Sequence, residues 1–119
     1  MAQLTVQNVV QTGLTETLAS AAGGGDSFLN PSDGRTYFKA TNGSGASITV
    51  TFTRQRTSQL VPGEGNVTLA NLAVAVPAGA SRLIGPFGDS FNDASGLVQV
   101  TYSAVTSLTV GAIRVPAVS

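Results

Sequence analysis

Residues 46–54, A-S-I-T-V-T-F-T-R, decide the fold class. Ile48, Val50 and Phe52 alternate with Thr49, Thr51 and Thr53. A period of two sends successive side chains to opposite faces of a strand. One face is therefore apolar and buried, and the other is a threonine ladder facing water or an interface. An amphipathic helix would instead need apolar residues three and four apart.

The same grammar extends outward. Arg35 to Thr41 predicts a strand, and the Asn-Gly signal in N-G-S-G, 42–45, predicts a hairpin between it and 46–54. Gln55 to Asn66 is polar, carries Pro62, Gly63 and Gly65, and reads as a long loop. Val67 to Val76 is a strand region with a bend near Ala70-Asn71. Pro77 to Ala80 is a turn, because Pro presets φ and Gly supplies a positive one. Short strands follow at Ser81 to Ile84, Leu97 to Ser103 and Leu108 to Val115, and another opens the chain at Leu4 to Val10. Long helix signals are missing, because Glu, Lys and Leu are sparse. Seven or eight short strands between Gly, Pro, Asn and Ser predict an all-β chain: an antiparallel β-sandwich, jelly-roll-like, forming a single domain over 1–119. The glycine-rich A-S-A-A-G-G-G, 19–25, is expected to be mobile or to be ordered by a partner.

Two stretches nearly repeat: D-S-F-L-N-P-S-D-G, 26–34, and D-S-F-N-D-A-S-G, 89–96. A calcium site would draw on Asp26, Asn30 and Asp33, or on Asp89, Asn92 and Asp93. Neither copy has the alternating acidic spacing and closing Glu of an EF-hand loop. Asp, Asn and Ser commonly bond their own backbone in loops. The repeats are therefore expected to be two equivalent sandwich corners, with Phe28 and Phe91 tucked into the core and no metal bound.

Composition narrows the function. The chain has 119 residues, no Cys and no His. That removes thiol chemistry and the commonest general base and metal ligand. Ser and Thr are abundant, but a hydroxyl nucleophile needs an activating base. The carboxylates are Glu16, Asp26, Asp33, Glu64, Asp89 and Asp93, from which a glycosidase pair could be drawn. Sugar handling usually wants aromatic platforms, yet there is no Trp and only Tyr37 and Tyr102, both expected to pack on a sheet face. Lys39, the sole lysine, is expected on a solvated strand face, and the glycines at 23–25 lack the Lys-Ser/Thr of a phosphate loop. The expectation is no enzyme, no catalytic, cofactor-binding or metal residues, and no cofactor.

Charged residues make up 10% of the chain and sum to zero, against about 25% in ordinary domains. Arg54 and Arg56 are the only close basic pair, too little for a nucleic-acid footprint. Nor is a membrane partner expected: no run of apolar residues is long enough to span a bilayer, and no signal peptide is visible. A charge-poor surface favours association, so much of it is expected to meet a partner.

Three segments then carry a resemblance: V-P-A-G-A-S-R-L-I-G-P-F (76–87), F-N-D-A-S-G-L-V-Q-V-T-Y-S-A-V-T-S-L-T-V-G-A-I-R-V (91–115) and D-G-R-T-Y-F-K-A-T-N-G-S-G-A-S-I-T-V-T-F (33–52). Together they cover about half of the chain and resemble small structural proteins of tailed bacteriophages. The resemblance implies a capsid decoration, or cement, protein with a jelly-roll-like sandwich. Such a protein sits on the exterior of the expanded head and clamps neighbouring copies of the major capsid protein. It implies a homo-oligomer, trimer or dimer, made in the host cytoplasm and carried on the virion. It brings no catalytic or contact residues. Segment 11–34 and loop 55–66 are the candidate contact regions. The alternatives are a tail, fibre or baseplate component, a carbohydrate-binding module, and an enzyme built on a carboxylate pair.

Overall fold

In β5 (Thr36–Asn42) and β6 (Ile48–Thr53) every second side chain is buried, as the period of two demands. The computed structural model describes residues 2–31, 35–55 and 58–115. Before these two strands come β1 (Ala2–Leu4), β2 (Val6–Asn8), β3 (Ala19–Ser20) and β4 (Asp26–Leu29). After them come β7 (Ser58–Val61), β8 (Gly65–Thr68), β9 (Leu72–Val76), β10 (Ser81–Ile84), β11 (Leu97–Tyr102) and β12 (Leu108–Arg114). A single 3-10 turn spans Asp89–Phe91. The chain is all-β, with two principal sheets packed face to face.

The first sheet runs in the order β1-β4-β11-β6-β9. The second runs β10-β5-β12-β2, with β3 also on β12. Four antiparallel pairs are nested: β7 with β8, β6 with β9, β5 with β10 and β4 with β11. The strands β4 to β11 are thus paired as one ribbon, doubled back at the turn after Val61 and wrapped across both sheets.

Several expectations need correction. The sheets are mixed, because β1 runs parallel to β4 and β2 runs parallel to β12. There are twelve strands among the described residues, since short segments of two to four residues pair at sheet margins. Leu4 to Val10 is not one strand: the chain changes sheets at Thr5. The 42–45 connection closes no hairpin, because β5 and β6 belong to opposite sheets. It is an arch held by Asn42, whose amide donates to the carbonyls of Ala46 at 2.7 Å and Val76 at 2.9 Å. The supposed loop from Gln55 to Asn66 contains β7 and the start of β8. The two Asp-Ser-Phe copies are not equivalent corners: the first is strand β4 and the second is the 3-10 turn.

All five phenylalanines meet between the sheets. Phe28, Phe38, Phe52 and Phe87 form a closed ring of contacts with centroids 4.8–5.6 Å apart. Phe91 adds edge-on to Phe87 at 5.5 Å. Val50, Val98, Val100 and Val110 fill the remaining interior without exposure. Offset and edge-to-face aromatic contacts of this kind add to the hydrophobic gain from burial.

Candidate interaction surfaces

The repeated motif is where the structure brings distant sequence together. Asn30, which follows β4, is buried, and its amide donates to Asn92 Oδ1 at 2.9 Å and to the Phe87 carbonyl at 3.2 Å. The Asn92 amide donates back to the Asn30 carbonyl at 2.9 Å. The two copies are therefore two sides of one clasp, closed by side-chain amides. Phe28 and Phe91 are both buried, and both pack on Phe87.

The acidic residues have structural work. Asp26 is buried and accepts from the Tyr102 hydroxyl at 2.6 Å and from the Ala22 amide at 3.2 Å. Burial and then the Asp26 carboxylate raise the Tyr102 hydroxyl well above the usual phenol range, so it stays protonated and donates. Asp93 caps its own turn, accepting from the backbone of Ser95 at 2.8 Å and Leu97 at 3.1 Å and from the Gln99 side chain at 2.8 Å. Among the described residues no three acidic or other metal-ligating side chains converge. Asp33, Arg56 and the Asp89 side chain lie outside the described part.

Asp93 yields a pH prediction. The Leu97 amide, then the Gln99 amide and the Ser95 amide, hold its carboxyl below the ordinary range. A depressed folded value means the stabilisation is complete above the unfolded value of about 3.9 and is lost as pH falls through the folded value. Thermal melts of wild type and Asp93→Asn should therefore differ most near neutrality and converge as pH falls through the lowered folded value. A gap that is constant with pH would remove the charge from the explanation.

Two surfaces carry most of the exposed large apolar side chains of the described residues. The first lies on the outside of the second sheet. There the segment between β2 and β3 crosses the strands as a strap. Gln7 and Thr17 exchange two hydrogen bonds of 2.7 Å, and Glu16 pairs with Lys39. Lys39 is thus on the outward strand face as expected, but paired rather than free. Gly111 lets the strap lie flat: a β-carbon there would meet Leu18 Cδ2 at 2.8 Å and the Thr17 carbonyl at 3.3 Å. Between strap and sheet runs a groove of about 570 Å³, walled by Val9, Leu14, Tyr37, Lys39, Leu83 and Val115. Leu83 is 62% exposed.

The second surface is the β7–β8 hairpin. These strands pair with each other and with no strand of either main sheet. Every residue of β8 is exposed, and Leu60 on β7 is 71% exposed. Leu60 sits opposite Asn66, and Val67 sits opposite Gln59, so the hairpin carries an exposed apolar residue on each face. Isolated two-stranded hairpins are marginal in water, which makes an unpartnered one a natural element for a docking partner to complete.

Of the candidate contact regions, 55–66 coincides with much of this hairpin. Segment 11–34 divides: the strap faces outward, whereas Asp26, Ser27 and Phe28 are buried in β4. Within 19–25, Ala19 and Ser20 pair with β12, and Gly25 presses against the Val100 carbonyl at φ +96°. The groove was not legible in the sequence, because its walls come from separate segments. No helix of the described residues is long and apolar enough to cross a membrane. No protein-family model, curated protein or solved structure matches this chain.

Proposed function

We propose that this protein is a structural component of a tailed-phage virion that binds the outer surface of the head and stabilises it by clamping neighbouring major capsid subunits. The resemblance of residues 33–52, 76–87 and 91–115 to phage structural proteins suggests the setting. The nested pairing of β4 with β11, β5 with β10, β6 with β9 and β7 with β8 supports reading the sandwich as a jelly roll, an architecture that viral capsids use. The observation that carries the clamp is the β7–β8 hairpin, an arm that exposes Leu60 and Val67 and has no strand partner in either main sheet among the described residues. Single arms bind weakly, but many copies, or a dimer or trimer of copies, on a closed lattice turn weak contacts into avidity. The low surface charge suits a partner that is itself a protein surface rather than nucleic acid.

Quantitative mass spectrometry of purified virions tests this. Copy number near parity with the major capsid protein is the expected result. A handful of copies per particle would move the chain to the tail, fibre or baseplate. Absence from the particle would overturn the structural reading.

A further inference from the structure

The second Asp-Ser-Phe copy has a role that the clasp with Asn30 does not explain. Between β6 and β7 the ribbon leaves the first sheet, and Arg54 stands at the point of departure. Its backbone amide donates to Asn71 Oδ1 at 2.9 Å, and its Nε donates to the Ala70 carbonyl at 2.8 Å. Its Nη1 donates to Ser90 Oγ at 2.7 Å, and the guanidinium lies 4.3 Å from the centre of the Phe91 ring. The next amide, that of Gln55, donates to the Ser90 carbonyl at 2.9 Å. One side chain thus ties both strands at the root of the hairpin to the Ser90-Phe91 corner. That corner is itself fixed: Phe91 is buried against Phe87, and Asn92 is bound to Asn30.

We propose that Arg54 is the positioning residue of the β7–β8 arm, fixing its direction so that the arm, with Leu60 exposed on one face and Val67 on the other, meets the capsid surface in one orientation. The docking half of this statement rests on the function proposed above; the positioning half does not. The chemistry favours arginine. A planar guanidinium can bond two groups in its plane while stacking on an aromatic ring, which an ammonium cannot reproduce. Such charge-assisted bonds are stronger than neutral ones, so they suit a root that must hold a lever. A partner that accepts one arm orientation binds with an affinity reduced by the fraction of molecules not in it. Locking the arm beforehand removes that loss.

The chain has no cysteine, so two can be introduced cleanly for spin labels. Glu64→Cys marks the arm turn and Ala75→Cys marks the exposed face of β9. In the double-labelled protein the interlabel distance should form one narrow distribution. Arg54→Ala should broaden it while leaving hydrogen-exchange protection of β5, β6, β11 and β12 unchanged, a local effect that general destabilisation would not produce. Arg54→Lys should broaden it nearly as much. Ser90→Ala, a milder change, should broaden it less and serves if Arg54→Ala folds poorly. Binding of free protein to head particles stripped of it should weaken about tenfold if the correctly oriented fraction falls to a tenth. A distribution unchanged in both Arg54→Ala and Ser90→Ala overturns the positioning role. Broadening with undiminished particle binding overturns the arm as the docking element and leaves the reading as a head protein to the copy-number measurement.

Discussion

Phe87→Ala is expected to lower the free energy of unfolding by about 3–5 kcal/mol, at least a fifth of the margin of a domain with about 5–15 kcal/mol in total. Phe87 is 1% exposed and touches three other rings, those of Phe28, Phe52 and Phe91. It lies outside the strands, on the connection between β10 and the 3-10 turn, and is inserted between the sheets like a plug. Truncation removes most of a ring's worth of burial and leaves a hole whose walls are held by backbone ladders in both sheets. Walls of that kind relax little, so the cavity penalty adds to the transfer penalty. Phe91→Ala should cost less, because Phe91 touches one ring and borders the partly exposed Arg54. Denaturant titration is the measurement: the midpoint should fall steeply with the slope unchanged. A loss below about 1 kcal/mol would mean that the sheets close over the gap, contrary to the rigidity assigned to them.

What the sequence disclosed, and what it concealed, follows from where the deciding forces act. β6, β5, β10, β11 and β12 were legible because apolar side chains recur with a strand's period or cluster as β-branched runs, and burial enforces that pattern locally. The opening segment was legible as a strand, Leu4 to Val10, but not as β1 and β2 divided between two sheets, and β3 was not legible, since segments of two or three residues owe their pairing to whatever edge lies beside them. Identical letters misled at the repeat. Both copies deliver a phenylalanine to the core and an asparagine to the clasp. One arrives as a strand between two neighbours and the other as a free-standing turn, a difference decided by the surrounding sheet. The hairpin arm was legible as a region, 55–66, but not as strands, because an exposed ribbon has no buried face to imprint a period. Arg54 appeared only as half of a basic pair. Its partners Ala70, Asn71, Ser90 and Phe91 lie at least sixteen positions away, and nothing in the local sequence points to them.

The arch at Asn42 shows the same limit and leads to the second large effect. An Asn-Gly pair announces that the chain reverses, but not whether the flanking strands pair or part to opposite sheets. Asn42 decides it. The side chain is fully buried, donates to the Ala46 and Val76 carbonyls, and accepts from the Ser44 amide at 2.9 Å and hydroxyl at 2.7 Å. Its backbone bonds Ala80 and Gly79 at 2.9 and 2.8 Å, so one residue joins the end of β5, the start of β6 and the turn after β9. Asn42→Ala takes the amide donor from the Val76 carbonyl, at about 1–3 kcal/mol where water cannot reach it, whereas the exposed Ala46 carbonyl keeps the Ser44 hydroxyl at 3.0 Å. The Ser47 hydroxyl, 3.5 Å from the Val76 carbonyl, is too distant to replace the amide. Asn42→Asp should be worse at neutral pH, because it sets a buried negative charge against two acceptors. It also carries a signature that the alanine variant lacks. The introduced carboxyl has its folded pKa raised by burial and by the facing carbonyls, and once protonated it can donate to one of them. A group with a raised folded value is stabilising when protonated, so its penalty is smallest below the unfolded value of about 3.9 and grows as pH rises through the folded value. Thermal melts should therefore show Asn42→Asp closing on Asn42→Ala as pH falls, and a gap between the two that ignores pH would place the arch's stability in the backbone bonds alone.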